Sequence, residues 1–182
     1  MATLYLTVYT HNMSLGKKVS REFEKLLERE FGSDVKPEIE VVETCKYPEV
    51  IKSREVDSLS RYHTGKGIPV FIAEKILKME VIHDVYGYMD IFVEREVMGV
   101  TKGGVVAIAR NEPEVMAGVL FHEVYAELGR GYLRKKGIGH NRMEESSCLL
   151  AHGGTPRSLC EKCRKIREHA KALTQYIMDT YG

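Results

Sequence analysis

The chain has 182 residues, 43% of them hydrophobic, which is enough to bury the core of a single domain spanning residues 1–182. A formal net charge of +1 gives no electrostatic basis for binding nucleic acid. No apolar run approaches the roughly 20 residues that a membrane-spanning helix needs. The N-terminal segment lacks the charged-then-apolar order of a signal peptide. We therefore expect a cytoplasmic protein whose four cysteines stay reduced and favour metal over disulfides.

Strand and helix patterns alternate along the chain. Alternating apolar residues predict a buried strand at the N-terminus, and apolar residues on one face predict an amphipathic helix after it. The expected elements are a strand at 3–9, a helix at 19–31, a strand at 39–42, mixed loop and helix at 47–60, a strand with a short helix at 68–77, and strands at 81–86, 89–93 and 105–109. Residues 94–99 are expected to be a charged connection. Cys45 is interpreted as a small buried hydrophobe and His63 as a solvated loop residue.

Helical patterns dominate the second half. Asn111 is a favourable N-cap and Pro113 suits the first turn of a helix that runs into His122. Further turns are expected up to Gly137, and residues 165–181 form a terminal helix. This alternation predicts an α/β fold: one compact domain with a mixed β-sheet flanked by helices.

Residues 121–129, FHEVYAELG, contain part of a zinc-protease motif. In the intact motif, H-E-x-x-H, the two histidines share one face of a helix and bind zinc, and the glutamate acts as general base. His122 and Glu123 hold the first two positions, but Ala126 replaces the second histidine. Glu127 is expected to be a poor substitute, since it lies about 100° further round an α-helix. A His-Glu pair alone is weak evidence for a metal site, because His122 could equally be an ordinary helix residue.

Three of the four cysteines lie close together in the sequence. Cys160 and Cys163 form a C-x-x-C whose spacing directs two thiolates at one ion, and Cys148 adds a third soft ligand. A redox pair and incidental thiols are the alternatives, but a thioredoxin-like pair would follow a strand early in a βαβ unit. We expect a structural zinc site. The sequence leaves three candidates for the fourth ligand of this site: His140, His152 and Cys45.

These features together resemble the archaemetzincin family, whose extended motif H-E-x-x-H-x-x-G-x-x-H-C is followed by a cysteine before a Met-turn and by a late C-x-x-C. The matching residues are His122, Glu123, Gly129, Cys148, Cys160 and Cys163. Residues 92–107 also resemble the strand-loop-strand that precedes the motif helix in that family. The resemblance implies a compact α/β domain with the motif on a central helix, a catalytic zinc, a cysteine-bound structural zinc, and hydrolysis of peptide bonds, of the aminopeptidase type in some members.

The sequence departs from this family at several positions. Strict spacing places the third catalytic ligand at Tyr132, but residues 137–140 match the family's G-x-G-H turn, which favours His140. The cysteine expected next is then Asn141, and the Met-turn residue is Leu150. Because Asn141 leaves the cysteine site one ligand short, we expect His140 to complete that site rather than the catalytic one.

Three functions follow from these observations. The first is a metallopeptidase that acts on peptides or proteins, with Glu123 as catalytic residue and with activity weakened or lost through Ala126. The second is a pseudoenzyme that keeps a structural zinc and binds a peptide or protein without cleaving it. The third is a small zinc-binding interaction domain unrelated to proteases. On the first interpretation Ala126→His would raise the zinc content. The oligomeric state is left open.

Overall fold

A computed structural model describes residues 1–84, 86–140 and 147–182. The strands are β1 Ala2–Thr10, β2 Val35–Glu43, β3 Val50–Lys52, β4 Ile68–Ala73, β5 Lys75–His83, β6 Asp90–Val97, β7 Gly99–Lys102 and β8 Val105–Ala109. The helices are α1 Met13–Phe31, α2 Pro113–Phe121, a π-helix at His122–Leu128, α3 Arg130–Lys136 and α4 Ala170–Tyr181, with 3-10 helices at Gly32–Asp34, Ser53–Tyr62 and Glu161–His169.

The main sheet has five strands in the order β2-β1-β4-β8-β7. The first four strands are parallel, and β7 pairs antiparallel with β8 at the edge. A second sheet has the order β3-β5-β6, in which β5 and β6 form a long antiparallel hairpin with many exposed residues. Mixed sheets with flanking helices confirm the predicted α/β class.

Both faces of the main sheet are buried, and each belongs to a separate hydrophobic cluster. On β1, Leu4, Leu6 and Val8 pack towards residues of α1, α2 and α4. The neighbouring Tyr9 belongs to the other cluster, which includes Phe71 and residues of the second sheet. The central strands β4 and β8 are accordingly continuous apolar runs, as expected for strands buried on both faces.

The predicted strands at 3–9, 39–42 and 105–109 are confirmed within longer or equal elements. Helix α1 begins earlier than expected, because the Asn12 side chain caps it by accepting a hydrogen bond from the Leu15 amide at 3.0 Å. Two predictions were wrong. Residues 68–77 contain two strands and no helix, and residues 94–97 continue β6 instead of forming a connection.

The prediction that Cys45 is buried was also wrong, and His63 lies in a loop as predicted but is not fully solvated. Cys45 is exposed rather than buried. His63 is half-buried, with Nδ1 2.9 Å from the Tyr9 hydroxyl oxygen and Nε2 3.0 Å from the Gly67 carbonyl oxygen. The contact with Tyr9 joins residues 54 positions apart, which the local sequence does not reveal. Among the described residues, no helix is both long enough and apolar enough to cross a membrane.

Candidate metal centres

The helix that carries the His-Glu pair changes its winding at that pair. Helix α2 ends at Phe121 and continues as a π-helix over His122–Leu128, in which backbone hydrogen bonds join residues five apart instead of four. In an α-helix the fifth residue along lies about 140° from the first, whereas the wider turn returns it to the same side. The expectation that Glu127 would point away from His122 was therefore wrong.

A glycine closes the π-helix where the chain passes very close to its own backbone. A Cβ atom at Gly129 would lie 2.3 Å from the Tyr125 carbonyl oxygen, so a larger residue would force the helix apart. Tyr125 is fully buried beside Phe121 and Phe31, and its hydroxyl lies 3.1 Å from the Thr174 hydroxyl. The expectation that Tyr125 belongs to the core is confirmed.

The π-helix brings together two histidines and a carboxylate. Glu127 Oε1 lies 3.5 Å from His122 Nε2 and 3.2 Å from His152 Nδ1. One potential ligand atom from each residue lies within 4.8 Å of the other two, and the three residues form a group that could hold a metal ion. Two imidazole nitrogens and one carboxylate oxygen, with a position left open, are a ligand set that zinc takes in hydrolytic enzymes. We call this group the histidine centre.

Neighbouring groups fix the orientation of these ligands. The His122 Nδ1–H donates a 3.0 Å hydrogen bond to the Leu149 carbonyl oxygen, which leaves Nε2 as the ring nitrogen that faces the centre. Arg130 Nη2 pairs with Glu127 Oε2, the carboxylate oxygen that does not face the histidines. Leu149 therefore fixes the His122 ring, and Arg130 fixes the Glu127 carboxylate.

The charges in the histidine centre stabilise one another. Burial alone would raise the pKa of the Glu127 carboxyl, but the hydrogen bond from His122 and the charge of Arg130 outweigh burial and lower it. Burial alone would lower the pKa of the His122 imidazole, but the hydrogen bond to Glu127 and the charge of Glu123 raise it. A cation is favoured at this place, whether it is a proton or a metal ion.

Glu123 is buried beside the histidine centre and is held by the edge strand. Thr101 on β7 donates a 2.6 Å hydrogen bond from its hydroxyl to Glu123 Oε2. Burial raises the pKa of the Glu123 carboxyl to about 7, although the His122 charge and the Thr101 hydrogen bond act in the opposite direction. Gly99 makes room for the carboxyl, because a Cβ atom there would lie 2.9 Å from Glu123 Oε1.

The second group that could hold a metal ion consists of His140, Cys148, Cys160 and Cys163, whose ligand atoms all lie within 4.8 Å of one another. We call it the cysteine centre. His140 Nε2 lies 3.3 Å from Cys160 Sγ, and the Cys160 amide donates to Cys148 Sγ at 3.4 Å. Zinc with sulfur ligands at 2.3 Å in a tetrahedron separates those sulfurs by about 3.8 Å. Three sulfurs and one imidazole nitrogen at these separations fit a structural zinc ion.

The thiols of the cysteine centre interact with each other. The hydrogen bond from Cys163 is the main cause that lowers the pKa of the Cys148 thiol. The same interaction, together with burial, raises the pKa of the Cys163 thiol. One thiolate forms readily in this cluster and opposes the next, so a divalent cation would be needed to hold all three deprotonated.

One short segment serves both centres. Cys148 contributes to the cysteine centre, Leu149 orients His122 through its carbonyl, and His152 contributes to the histidine centre. Backbone hydrogen bonds hold the segment: the Leu149 amide donates to the Ser158 carbonyl and the Ala151 amide donates to the Cys148 carbonyl, both at 3.0 Å. The two centres are therefore joined through a single ordered stretch of chain.

The structure brings His140 to Cys148, Cys160 and Cys163, and His122 to Glu123, as the sequence analysis placed them. Tyr132, the alternative third ligand by strict spacing, instead directs its hydroxyl at His169 Nδ1, 3.0 Å away. Asn141 lies outside the described residues. Sequence reasoning set Glu127 aside and weighed His152 only for the cysteine centre. Glu127 directly follows Ala126, and this adjacency was the one available signal.

A broad cleft of about 970 Å³ gives access to the histidine centre. Its lining includes His122, Glu123, Glu127 and His152, together with residues of β6 and β7. Ala126 lines a different cavity, of about 580 Å³, beside Leu150 and His140. Glu123, the general-base candidate, lies within this cleft.

Comparisons with known proteins bear on the fold. Neither protein-family models nor curated protein sequences give a match. A solved structure, the archaemetzincin of Methanopyrus kandleri, matches 92% of this chain and 94% of its own, with a TM-score of 0.53 and 14% sequence identity. This chain has the archaemetzincin fold.

At 14% identity the likeness establishes the archaemetzincin fold and leaves the chemistry to the residues themselves. The match covers 92% of the chain, so it extends well beyond residues 92–163, which carry the sequence resemblance. The chain thus combines the archaemetzincin fold with two groups that could hold metal ions.

Proposed function

We propose that this chain is a zinc-dependent hydrolase of peptides or proteins. Its catalytic zinc is bound by His122, Glu127 and His152, and a structural zinc is bound by the cysteine centre. The observation that carries the proposal is the π-helix, in which Glu127 Oε1 lies 3.5 Å from His122 Nε2, so that a carboxylate next to Ala126 can serve as a ligand beside His122. Ala126 therefore changes the ligand set instead of abolishing it.

The residues around the centre suit this chemistry. Zinc held there would polarise the substrate carbonyl and make a bound water acidic. Glu123 accepts a proton from the attacking water and returns it to the leaving amine nitrogen. Thr101 occupies Glu123 Oε2 with its 2.6 Å hydrogen bond and so fixes the orientation of the carboxyl for this transfer. Leu149 keeps His122 in the tautomer whose Nε2 can ligate.

A specific observation favours a second function, a peptide-binding pseudoenzyme. Glu127 contacts both histidines and Arg130 directly, so the centre is electrostatically satisfied without a metal ion. In that case the cysteine centre would stabilise the fold, and the cleft would bind a peptide or protein without cleaving it.

Metal content and turnover together distinguish the two functions. For the first we expect about two zinc ions per chain after purification without chelator, one lost in Cys160→Ser and the other in Glu127→Ala. We also expect hydrolysis of a peptide library that a chelator blocks and that Glu123→Gln abolishes. One zinc per chain that is lost only in Cys160→Ser, with no hydrolysis, would overturn the hydrolase and leave the pseudoenzyme.

A further inference from the structure

A small cavity of about 250 Å³ adjoins the cleft and shares several lining residues with it. Three cationic side chains line it, from Arg54, Lys78 and Lys102, together with the hydroxyl-bearing Ser53 and Thr101. No acidic residue belongs to this lining among the described parts of the chain. Its volume suits one side chain or one chain terminus rather than a long segment.

In the part of the chain that the structure describes, two of the three cations have no carboxylate partner. The Lys102 ammonium donates to the Arg54 carbonyl oxygen at 2.6 Å and lies 3.5 Å from Asp57, so it is partly neutralised. Within residues 1–84, 86–140 and 147–182, no carboxylate forms an ion pair with the Arg54 guanidinium or the Lys78 ammonium. The cavity is therefore a local concentration of positive charge in a chain whose net charge is only +1.

Strand pairing adds an independent observation. Lys78 on β5 lies directly opposite Arg95 on β6, and like charges at directly opposite positions destabilise a sheet. The Glu80 carboxylate forms an ion pair with the Arg95 guanidinium at 3.1 Å, which offsets part of this repulsion. Lys78 and Arg95 also line the cleft that gives access to the histidine centre, where an anion lying between them would remove the remaining repulsion.

The cavity and the cleft share part of their walls. Lys78 and Thr101 border both spaces, and Thr101 is the residue that holds Glu123. A group bound in the cavity therefore keeps the adjoining part of the same ligand close to the general-base candidate.

We propose that this cavity binds a carboxylate of the peptide, supplied by an acidic side chain or by the C-terminus, and that it sets the preference of the cleft for anionic peptides. The assignment of the ligand as a substrate rests on the proposed function. The binding itself depends only on the cations and can be measured separately.

The test uses one fluorescein-labelled alanine-rich hexapeptide in three forms: central Glu with an amidated C-terminus, central Gln with an amidated C-terminus, and central Gln with a free C-terminus. Fluorescence anisotropy is measured at low salt on the zinc-loaded full chain carrying Glu123→Gln, which keeps the peptides intact. We expect one or both carboxylate-bearing forms to bind about tenfold more tightly than the neutral form. Tighter binding of the Glu peptide would identify an acidic side chain as the ligand, and tighter binding of the peptide with a free C-terminus would identify the chain terminus.

Matched variants locate the effect. Lys78→Met should reduce the preference to about twofold or less, and Lys25→Met, which removes an exposed cation paired with Glu22 on α1, should leave it unchanged. Equal binding of the three peptides, no binding of any of them, or a preference that survives Arg54→Met combined with Lys78→Met would overturn the cavity assignment. A charge preference without any hydrolysis by the native chain would overturn only the hydrolase, and hydrolysis without a preference would overturn only the cavity.

Discussion

Replacing Glu127 with Gln tests the histidine centre most directly. The substitution keeps the size of the side chain and removes its negative charge, while the amide oxygen remains a weak neutral ligand. Glu127 Oε1 lies 3.5 Å from His122 Nε2 and 3.2 Å from His152 Nδ1, so the carboxylate is the only anionic member of the three. We expect the second zinc ion to bind much more weakly in this variant.

The expected magnitude follows from the role of the carboxylate. Removing a group that only orients a ligand costs about ten- to a hundredfold in metal affinity. Loss of a charged ligand should therefore raise the Kd at least about a hundredfold, or about 2.8 kcal/mol. In metal-free protein, loss of the Arg130 ion pair should change folding stability by less than about 1 kcal/mol, because the Arg130 side chain is 47% exposed and remains solvated.

Titration with cobalt(II) separates the two centres. Thiolate-to-cobalt charge-transfer bands report the cysteine centre, and competition with a chromophoric chelator reports the second ion. Glu114→Gln, an exposed carboxylate change at the start of α2, serves as the matched control and should behave as the native chain. An unchanged affinity for the second ion in Glu127→Gln would refute the assignment of Glu127 as a ligand.

Three further predictions concern the same region. Ala126→His should leave the zinc content near two per chain, since three ligands are already present; a third zinc ion, or a second one appearing only in this variant, would count against the carboxylate ligand. Gly99→Ala should lower kcat and leave the zinc content unchanged, because the added Cβ would lie 2.9 Å from Glu123 Oε1 and displace that carboxyl. Steady-state kinetics and elemental analysis check this prediction, and an unaltered kcat would contradict it. Cys160→Ser should lose the structural ion and, at free zinc about a thousandfold above Kd, about 4 kcal/mol of stability, or roughly 8–16 °C in Tm by calorimetry; an unchanged Tm would show that the cysteine centre does not stabilise the fold.

The sequence predicted the elements whose apolar pattern has a clear period. The strands at 3–9 and 105–109 and the helix ending at Phe31 were recognisable because apolar side chains recur at the spacing of the element. The hairpin of β5 and β6 was only partly recognised. Its exposed strands mix charged and apolar residues, so residues 94–97 resembled a connection. Pairing with a neighbouring strand, which local pattern does not encode, makes them a strand.

The candidate site was likewise predicted only in part. His140 was placed with Cys148, Cys160 and Cys163 because soft ligands and a C-x-x-C have a recognisable spacing, and the structure groups these four residues. Glu127 was set aside because an α-helix has 3.6 residues per turn, whereas the chain winds as a π-helix from His122 to Leu128. His152 reaches the centre through the tertiary path of its segment, which no ligand spacing reveals.

The short segment from Cys148 to His152 would couple two ions bound at the two centres. It supplies a ligand to each centre, so an ion held by Cys148 would restrict the backbone from which His152 projects, and an ion held by His152 would do the same for Cys148. Because such coupling is reciprocal, each ion would raise the affinity for the other by the same factor. We therefore expect zinc occupancy to rise more steeply with free zinc than it would at two independent sites.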